Sequence, residues 1–382
     1  MNYLFLTGAG RSGTTLFEKL LHNHPSICIG SQPFPNLFFR VKEKYHAQKK
    51  LKRRYPIGHL LLERDYTLEE LTRFLEGCFL SAHDIDILFQ DMSEYSGQYM
   101  PELIGFRKQI VPGTFYEVYQ QLLILIAHYF HQEDPMYIGT KETWLEEFIP
   151  FLLLKDVRVL VIIRDPRDIV TSLNFGDGNR FGGDVRPLLY ILRHWRKSVS
   201  FCLKYETHQH FAWIKYEDMV TDPEQTLEGI TKFLNTAPLA QERFREIVDQ
   251  NNELWQGNSS FERYSSVSSK SMGTFKKHLS PDCIRYIESV CYPELKMLGY
   301  QLMYCTLGPD EVIIKEFIEP FHVTHRKFDP GYSFHPPRVQ QELRRLSYLN
   351  KDLSEKQQRE WFIFPEVYRR MKENLREKSG PA

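Results

Sequence analysis

No run of apolar residues in this chain approaches the length of a membrane span, which excludes a transmembrane segment on sequence grounds. Met1 leads almost directly into a strand-like segment, so the reading leaves no room for a secretion signal and expects a cytoplasmic protein. Neither charge is in excess, since 49 Lys and Arg offset 49 Asp and Glu. That balance argues against a nucleic-acid binder driven by overall charge, and any anion site must be local. The six cysteines, at 28, 78, 202, 283, 291 and 305, form neither C-x-x-C pairs nor a compact framework. They read as reduced thiols rather than zinc ligands or disulfides. Internal repeats are absent too. A chain of 382 residues is long enough for one enlarged domain or two.

What is present begins at the N-terminus. Tyr3–Thr7 is an apolar strand-like run, Gly8-Ala-Gly-Arg-Ser-Gly13-Thr14-Thr15 follows it, and Leu16, Leu20 and Leu21 then share a helix face. Strand, glycine turn and helix in that order make a phosphate-binding loop. In the nucleoside-triphosphate version a lysine reaches the β- and γ-phosphates, and here Thr14 stands in its place. The backbone N–H cradle and the positive helix end need only the glycines and the turn, so an anion still binds. Arg11 is the cation that replaces the lysine.

His24-Pro25 ends the first helix and Ser26–Gly30 reads as a second strand. From about 32 to 130, aromatic and leucine-rich helical stretches alternate with basic runs, a helical insertion over the mouth of the sheet. Within it Lys42, Lys44, Lys49, Lys50, Lys52, Arg53 and Arg54 read as a solvated helix face. Strand character returns at Met136–Gly139, Arg158–Ile163 and Phe211–Ile214. Asp222-Pro-Glu-Gln225 then supplies N-cap grammar, and another helix runs from Ser280-Pro281 toward Gly299-Tyr300. Strands alternating with helices predict an α/β fold, a phosphate-loop parallel sheet flanked by helices, with ligands beyond the strands' carboxyl ends. Residues 1–300 form this domain. Residues 301–382 form a C-terminal extension, turn-rich at Asp329-Pro-Gly331 and His335-Pro-Pro337, then helical from about Val339 to Glu377. Its Leu343, Leu346, Leu349, Trp361, Phe362 and Phe364 carry too much apolar surface for a free linker. The extension is expected to pack on the domain or on a second subunit, forming a homo-oligomer.

The second signal is Arg164-Asp-Pro-Arg-Asp168-Ile-Val-Thr-Ser172, at the tip of the most apolar strand. Asp165 as N-cap, Pro166 at the first helical position and Asp168 at the capping-box position are ordinary helix-start grammar. The grammar does not explain Arg164 together with Ser172, one turn beyond Asp168 on the same face. A guanidinium and a hydroxyl on one crevice suit a phosphate monoester, whereas a triphosphatase would end this strand in a magnesium-holding aspartate.

With these residues the chain resembles the sulfotransferases that use 3′-phosphoadenosine-5′-phosphosulfate. Their 5′-phosphosulfate loop is similar to Gly8–Thr15, especially Arg11-Ser12-Gly13-Thr14-Thr15. Their 3′-phosphate motif, an arginine ending a strand and a serine eight positions on, is similar to Arg164 and Ser172. A lysine-bearing segment upstream corresponds to Gly139-Thr-Lys141-Glu142, and two further matches are Tyr216-Glu-Asp-Met-Val220 and Gly273-Thr-Phe-Lys276. The resemblance covers residues 1–300. It implies transfer of a sulfuryl group to a hydroxyl or amine on a small-molecule or carbohydrate acceptor, with Arg11, Ser12, Gly13, Thr14, Thr15, Arg164, Ser172, Tyr216 and Lys276 holding the donor. Sulfuryl transfer is mainly positioning and charge stabilisation, for which Arg11 and Lys141 are the candidate cations, and no metal is implied.

One departure matters. Protein-tyrosine-type members carry a catalytic glutamate where this chain has Gln32, and an amide cannot take a proton from a hydroxyl. The base is then Glu142, kept ionised by Lys141, or His83, or the acceptor needs little help. His22 reads as a helix-surface residue and His24 as part of a structural turn. Phe34, Phe38, Phe39, Tyr95 and Tyr99 are core residues or the lining of an apolar acceptor pocket. A phosphate-loop kinase and a catalytically degenerate binding module are the competing readings.

Overall fold

The computed structural model describes residues 2–50, 66–94, 100–130, 134–177, 185–249, 253–262, 264–321 and 336–377. Lys52, Arg53, Arg54, Tyr95, Tyr99 and the turns at Asp329–Gly331 and His335 lie outside them.

Strand β1 (Asn2–Gly8) alternates its side chains between two cores. Leu4 and Leu6 pack with Leu16, Phe17 and Leu20 on one face, while Phe5 joins the other. Burial on both faces is what a parallel strand requires. The other strands of its sheet are β2 (Ile27–Ser31), β5 (Tyr137–Lys141), β6 (Arg158–Ile163) and β7 (Phe211–Lys215), with two short strands β3 (Phe79–Leu80) and β4 (Gly113–Thr114) forming a separate antiparallel pair. The main sheet runs β2-β5-β1-β6-β7, all parallel. Among the described residues the expected α/β architecture is therefore present, with β1 at its centre.

Helix α1 (Thr14–His22) follows the loop. The insertion supplies α2 (Pro35–Gln48), α3 (Leu68–Gly77), α4 (Ala82–Glu94) and α5 (Phe115–Tyr129). Capping boxes at Thr67/Glu70 and Thr114/Glu117 start α3 and α5. The insertion does more than cover the mouth of the sheet. Phe38 of α2 meets Phe5, Phe115, Tyr119 and Phe148, and Tyr119 hydrogen-bonds Thr140 of β5 at 2.9 Å. Phe34 and Phe38 are thus core, with no exposure. The basic cluster divides: Lys42 is buried on Glu147 and Lys44 is half-buried on Asp84, whereas Lys49, paired with Glu70, and Lys50 are exposed as a solvated face requires. Burial of Lys42 costs too much without such a partner, so the partner comes with the fold.

Beyond β6, α6 (Ile149–Leu154) having preceded it, α7 (Pro166–Asn174) begins on the cap Asp165. The helix Leu188–Tyr205 and the pair Tyr216–Thr221 and Pro223–Leu234 follow, the last capped by Asp222 on the Gln225 N–H. Residues 336–377 form three helices. Leu343, Leu346, Leu349, Trp361, Phe362 and Phe364 join the main core, and Glu342 is buried between Arg193 and Arg196 of the Leu188–Tyr205 helix. All six cysteines are free and buried. No described helix is long and apolar enough to cross a membrane.

Candidate active site

Strand register brings the chemically distinctive residues to one edge. Leu6 pairs with Lys141, Ser31 with the same Lys141, Gly8 with Ile162, and Ile163 with Lys215. Gly8, Gln32, Lys141, Arg164 and Tyr216 therefore emerge side by side where the strands end, the position at which open α/β sheets bind ligands.

The loop between β1 and α1 is held open by conformation. Arg11 takes a left-handed φ of 66° and Gly13 one of 95°. A Cβ on Gly13 would lie 2.4 Å from the Tyr216 ring, and one on Gly10 would lie 2.6 Å from the Trp144 indole, so two aromatic side chains grip the loop at glycines. Thr14 opens α1, whose first N–H groups carry the positive helix end. The Ser12 hydroxyl is buried with no hydrogen-bond partner among the described residues. A buried orphan donor beside a helix N-terminus fits an anion's oxygen.

Arg164 does not pair with its neighbour. Asp165 is taken by Arg167, which also reaches Glu288 at 2.6 Å. Arg164 instead lies over the Tyr216 ring at 4.4 Å and donates to the carbonyls of Arg11 (3.1 Å) and Ser271 (2.6 Å). Asp168 turns away from the crevice and accepts from the backbone N–H groups of Gly273 and Phe275 and the Thr274 hydroxyl. Ser172 faces the cleft as its spacing predicts: its hydroxyl accepts from Arg11 Nε at 3.1 Å and contacts Ser260 at 2.8 Å. Arg11 also donates to the Asn258 carbonyl and to Ser260. One cleft is thus lined by Arg11, Gly13, Thr14, Thr15, Arg164, Ser172 and Tyr216.

Its other wall was not legible in the sequence. Trp255, Asn258, Phe261, Tyr264, Ser271 and Thr274 line it, from a stretch that forms little regular structure. The signals were an unusual density of serine and aromatics between 255 and 274 and, for Thr274 alone, the Gly273-Thr-Phe-Lys276 element. Lys276 lies at the start of the short helix Phe275–His278, exposed, with its ammonium 6.0 Å from the Phe275 ring. Thr274 is the part of that element facing the cleft. Trp144 was also missed. In a left-handed conformation with φ 64°, it donates its N–H to the Gly8 carbonyl at 3.1 Å.

At the other end of the loop the Lys141 ammonium lies 3.0 Å from Gln32 Oε1 and 3.4 Å from Thr15 Oγ1. Burial pushes it down to about 8, against the opposing pull of Glu18 and Glu142. Glu142 is fully buried and its carboxyl accepts from the Phe34 N–H at 2.8 Å. Burial pushes its pKa up, against the opposing pull of that bond and of Lys141, and so works against the ionised state expected for it. His83 is exposed at the start of α4. His22 is half-buried against Phe130, and burial lowers its pKa. His24 is structural, bonded to the Ala237 carbonyl and the Ser26 N–H.

Fold and cleft together define a phosphate-loop α/β protein with the guanidinium groups of Arg11 and Arg164 in one crevice and a buried lysine beside the loop. The profile of the sulfotransferase family matches residues 4–239, more than half of the chain, and the chain belongs to that family. No curated protein matches it. Solved structures similar to it include the sulfotransferase domain from the curacin biosynthetic pathway, 18% identical with a TM-score of 0.46, covering 79% of this chain and 99% of that one. The sulfotransferase domain from the Synechococcus PCC 7002 olefin synthase is 15% identical, TM-score 0.46, over 79% and 96%. A mouse sulfotransferase complexed with PAP is 14% identical, TM-score 0.39, over 77% and 85%.

Proposed function

We propose that the chain transfers a sulfuryl group from 3′-phosphoadenosine-5′-phosphosulfate to a hydroxyl or amine on a small-molecule or carbohydrate acceptor. One observation carries the donor assignment: Arg164, which its neighbour Asp165 leaves to the cleft, shares that cleft with Arg11 and the loop's helix end. A nucleotide with phosphate at both its 3′ and 5′ positions would use a second guanidinium beside the loop, Arg164 next to Arg11, whereas a triphosphate at one end would use only the loop. Ser12, Gly13, Thr14 and Thr15 would hold the 5′ end, Arg164 and Ser172 the 3′-phosphate, and Tyr216 would pack beside them. Lys276, exposed and outside the cleft lining, would act at most at its rim. Arg11 and Lys141 would stabilise charge developing on the transferred group.

Gln32 cannot accept the acceptor's proton, and burial disfavours the ionised Glu142 that could. An acceptor that needs little help from a base, an acidic phenol or an amine attacking through its lone pair, therefore suits this site better than an aliphatic alcohol. A phosphate-loop kinase is disfavoured by Thr14 at the lysine position and by Arg164 at the magnesium position. The six buried free thiols support a reducing, cytoplasmic compartment. The assignment is tested by calorimetric titration with adenosine 3′,5′-bisphosphate and ADP, with and without magnesium, and by incubation of labelled donor with phenols, amines, sugars and alcohols. Much tighter binding of the bisphosphate, independent of magnesium, is the expected result. Equal affinity for the two nucleotides would remove the sulfotransferase donor assignment.

A further inference from the structure

We propose that Gln32 is a positioning residue whose side-chain amide aims the Lys141 ammonium at the Gly8–Thr15 loop without neutralising it. The proposal rests on the sulfuryl-transfer reading above and gives a role to the residue that replaces the expected carboxylate. Gln32 follows β2 directly, and its left-handed φ of 46° turns the chain back over β5. Three contacts then tie it to that strand's end. Its N–H donates to the Lys141 carbonyl at 2.8 Å, its Oε1 accepts from Lys141 Nζ at 3.0 Å, and its Nε2 lies 3.5 Å from Thr143 Oγ1. The orientation of the amide follows from chemistry: an ammonium has only donors, so the oxygen must face it and the NH2 must face the threonine. The same ammonium lies 3.4 Å from Thr15 Oγ1 in the first turn of α1. Gln32 thus anchors the far side of a cation that reaches the loop.

The choice of an amide has an electrostatic consequence. The charged groups acting on Lys141 include Glu18 and Lys19 from α1, Arg11 from the loop and Glu142, the residue that follows it. A carboxylate at position 32 would add a direct ion pair at the distance the amide now occupies, cancel the lysine's charge locally and hold its proton more tightly. An amide gives the same geometry and adds no negative charge beside the ammonium. Backbone strain does not decide the matter, because Glu and Met are unbranched like Gln and meet the same cost at a positive φ. Substituting either isolates the side chain.

The test follows the Lys141 side chain by NMR of lysine labelled at Cε, titrated from about pH 6 to about pH 11 to bracket the ordinary lysine range, in wild type, Gln32→Glu and Gln32→Met. The Lys141 midpoint should rise in Gln32→Glu and fall in Gln32→Met. Turnover by Gln32→Met should drop roughly 10- to 100-fold through misplacement of the ammonium, with affinity for adenosine 3′,5′-bisphosphate within about twofold of wild type, since that ligand lacks the transferred group. A midpoint that stays in place in both variants overturns the proposal, as does Gln32→Met turnover at the wild-type rate. Failure of wild type to prefer the bisphosphate over ADP would instead strike the donor assignment, while the NMR midpoints would still decide the role of Gln32.

Discussion

Glu142 and Glu147 lie five positions apart in the chain and both are fully buried, yet their protons behave in opposite ways. Burial works to raise both. At Glu147 the ammonium groups of Lys197, at 2.8 Å, and Lys42 outweigh it and hold the carboxyl far below its ordinary range. At Glu142 the contact is one backbone N–H, and burial wins. The same division separates the cations of the scaffold from those of the cleft. Lys42, Lys197, Arg167, Arg193 and Arg196 meet carboxylates. The contacts described above for Arg11, Arg164 and Lys141 go to hydroxyl, amide and carbonyl oxygens. Ion pairs in the scaffold offset charge and fix the elements around the site, whereas the neutral oxygens described in the cleft orient its cations.

The comparison breaks most visibly at Glu147. Glu147→Gln would leave Lys42 without its carboxylate and Lys197 with Glu146 alone, and removing one partner of a buried ion pair costs about 3–5 kcal/mol. Urea unfolding should show a loss of that size, and the double substitution Lys42→Met with Glu147→Met should recover part of it. A loss under about 1 kcal/mol, the size of a surface pair, would mean that the scaffold pairs are not what holds this region.

In the cleft the expected loss falls on ligand affinity. Arg164→Ala should weaken adenosine 3′,5′-bisphosphate binding by about 2–5 kcal/mol, as truncation of a buried charge-assisted contact does, and cost less stability than Glu147→Gln. Calorimetry on the variant and its unfolding curve read the two effects separately. If Arg164→Ala lost stability and kept affinity, Arg164 would be a scaffold residue after all. Ser172→Ala should act in the same direction with a smaller effect, about 1–2 kcal/mol for one hydrogen bond to a charged partner.

What could be read from the sequence follows the range of the interaction concerned. The phosphate loop, the strand tips at Lys141 and Arg164, and the position of Ser172 depend on strand and helix periods of a few residues, which spacing reveals. Asp168 and Lys42 were misjudged because their partners, Gly273–Phe275 and Glu147, lie about a hundred positions away. The wall from Trp255 to Thr274 escaped for another reason. It reaches the cleft as irregular backbone bonded to Arg11 and Arg164 through carbonyls, and carbonyls carry no residue-type signature. Glu142 shows the third limit, since adjacency to Lys141 in sequence promised an ionised pair, whereas the burial that works against ionisation comes from tertiary packing that sequence neighbours do not reveal.

That reversal gives the effect most specific in pH. The folded-state pKa of Glu142 is raised from 4.5 to about 8, so between those values the folded protein holds a proton that the unfolded chain has lost. Stability from this group is fully present below about 4.5 and is lost as pH rises through about 8, by less than about 1.4 kcal/mol for each pH unit. Lys141, lowered from 10.5 to about 8, acts in the opposite sense and only at higher pH, where the unfolded lysine holds the proton that the folded one has released. Glu142→Gln keeps an oxygen for the Phe34 N–H and removes the titration. Its unfolding free energy should therefore match wild type near pH 4.5 and exceed it by a growing margin up to pH 8. A constant difference across that range would show that Glu142 is ionised in the folded protein, and would return it to consideration as the group that accepts the proton from the acceptor.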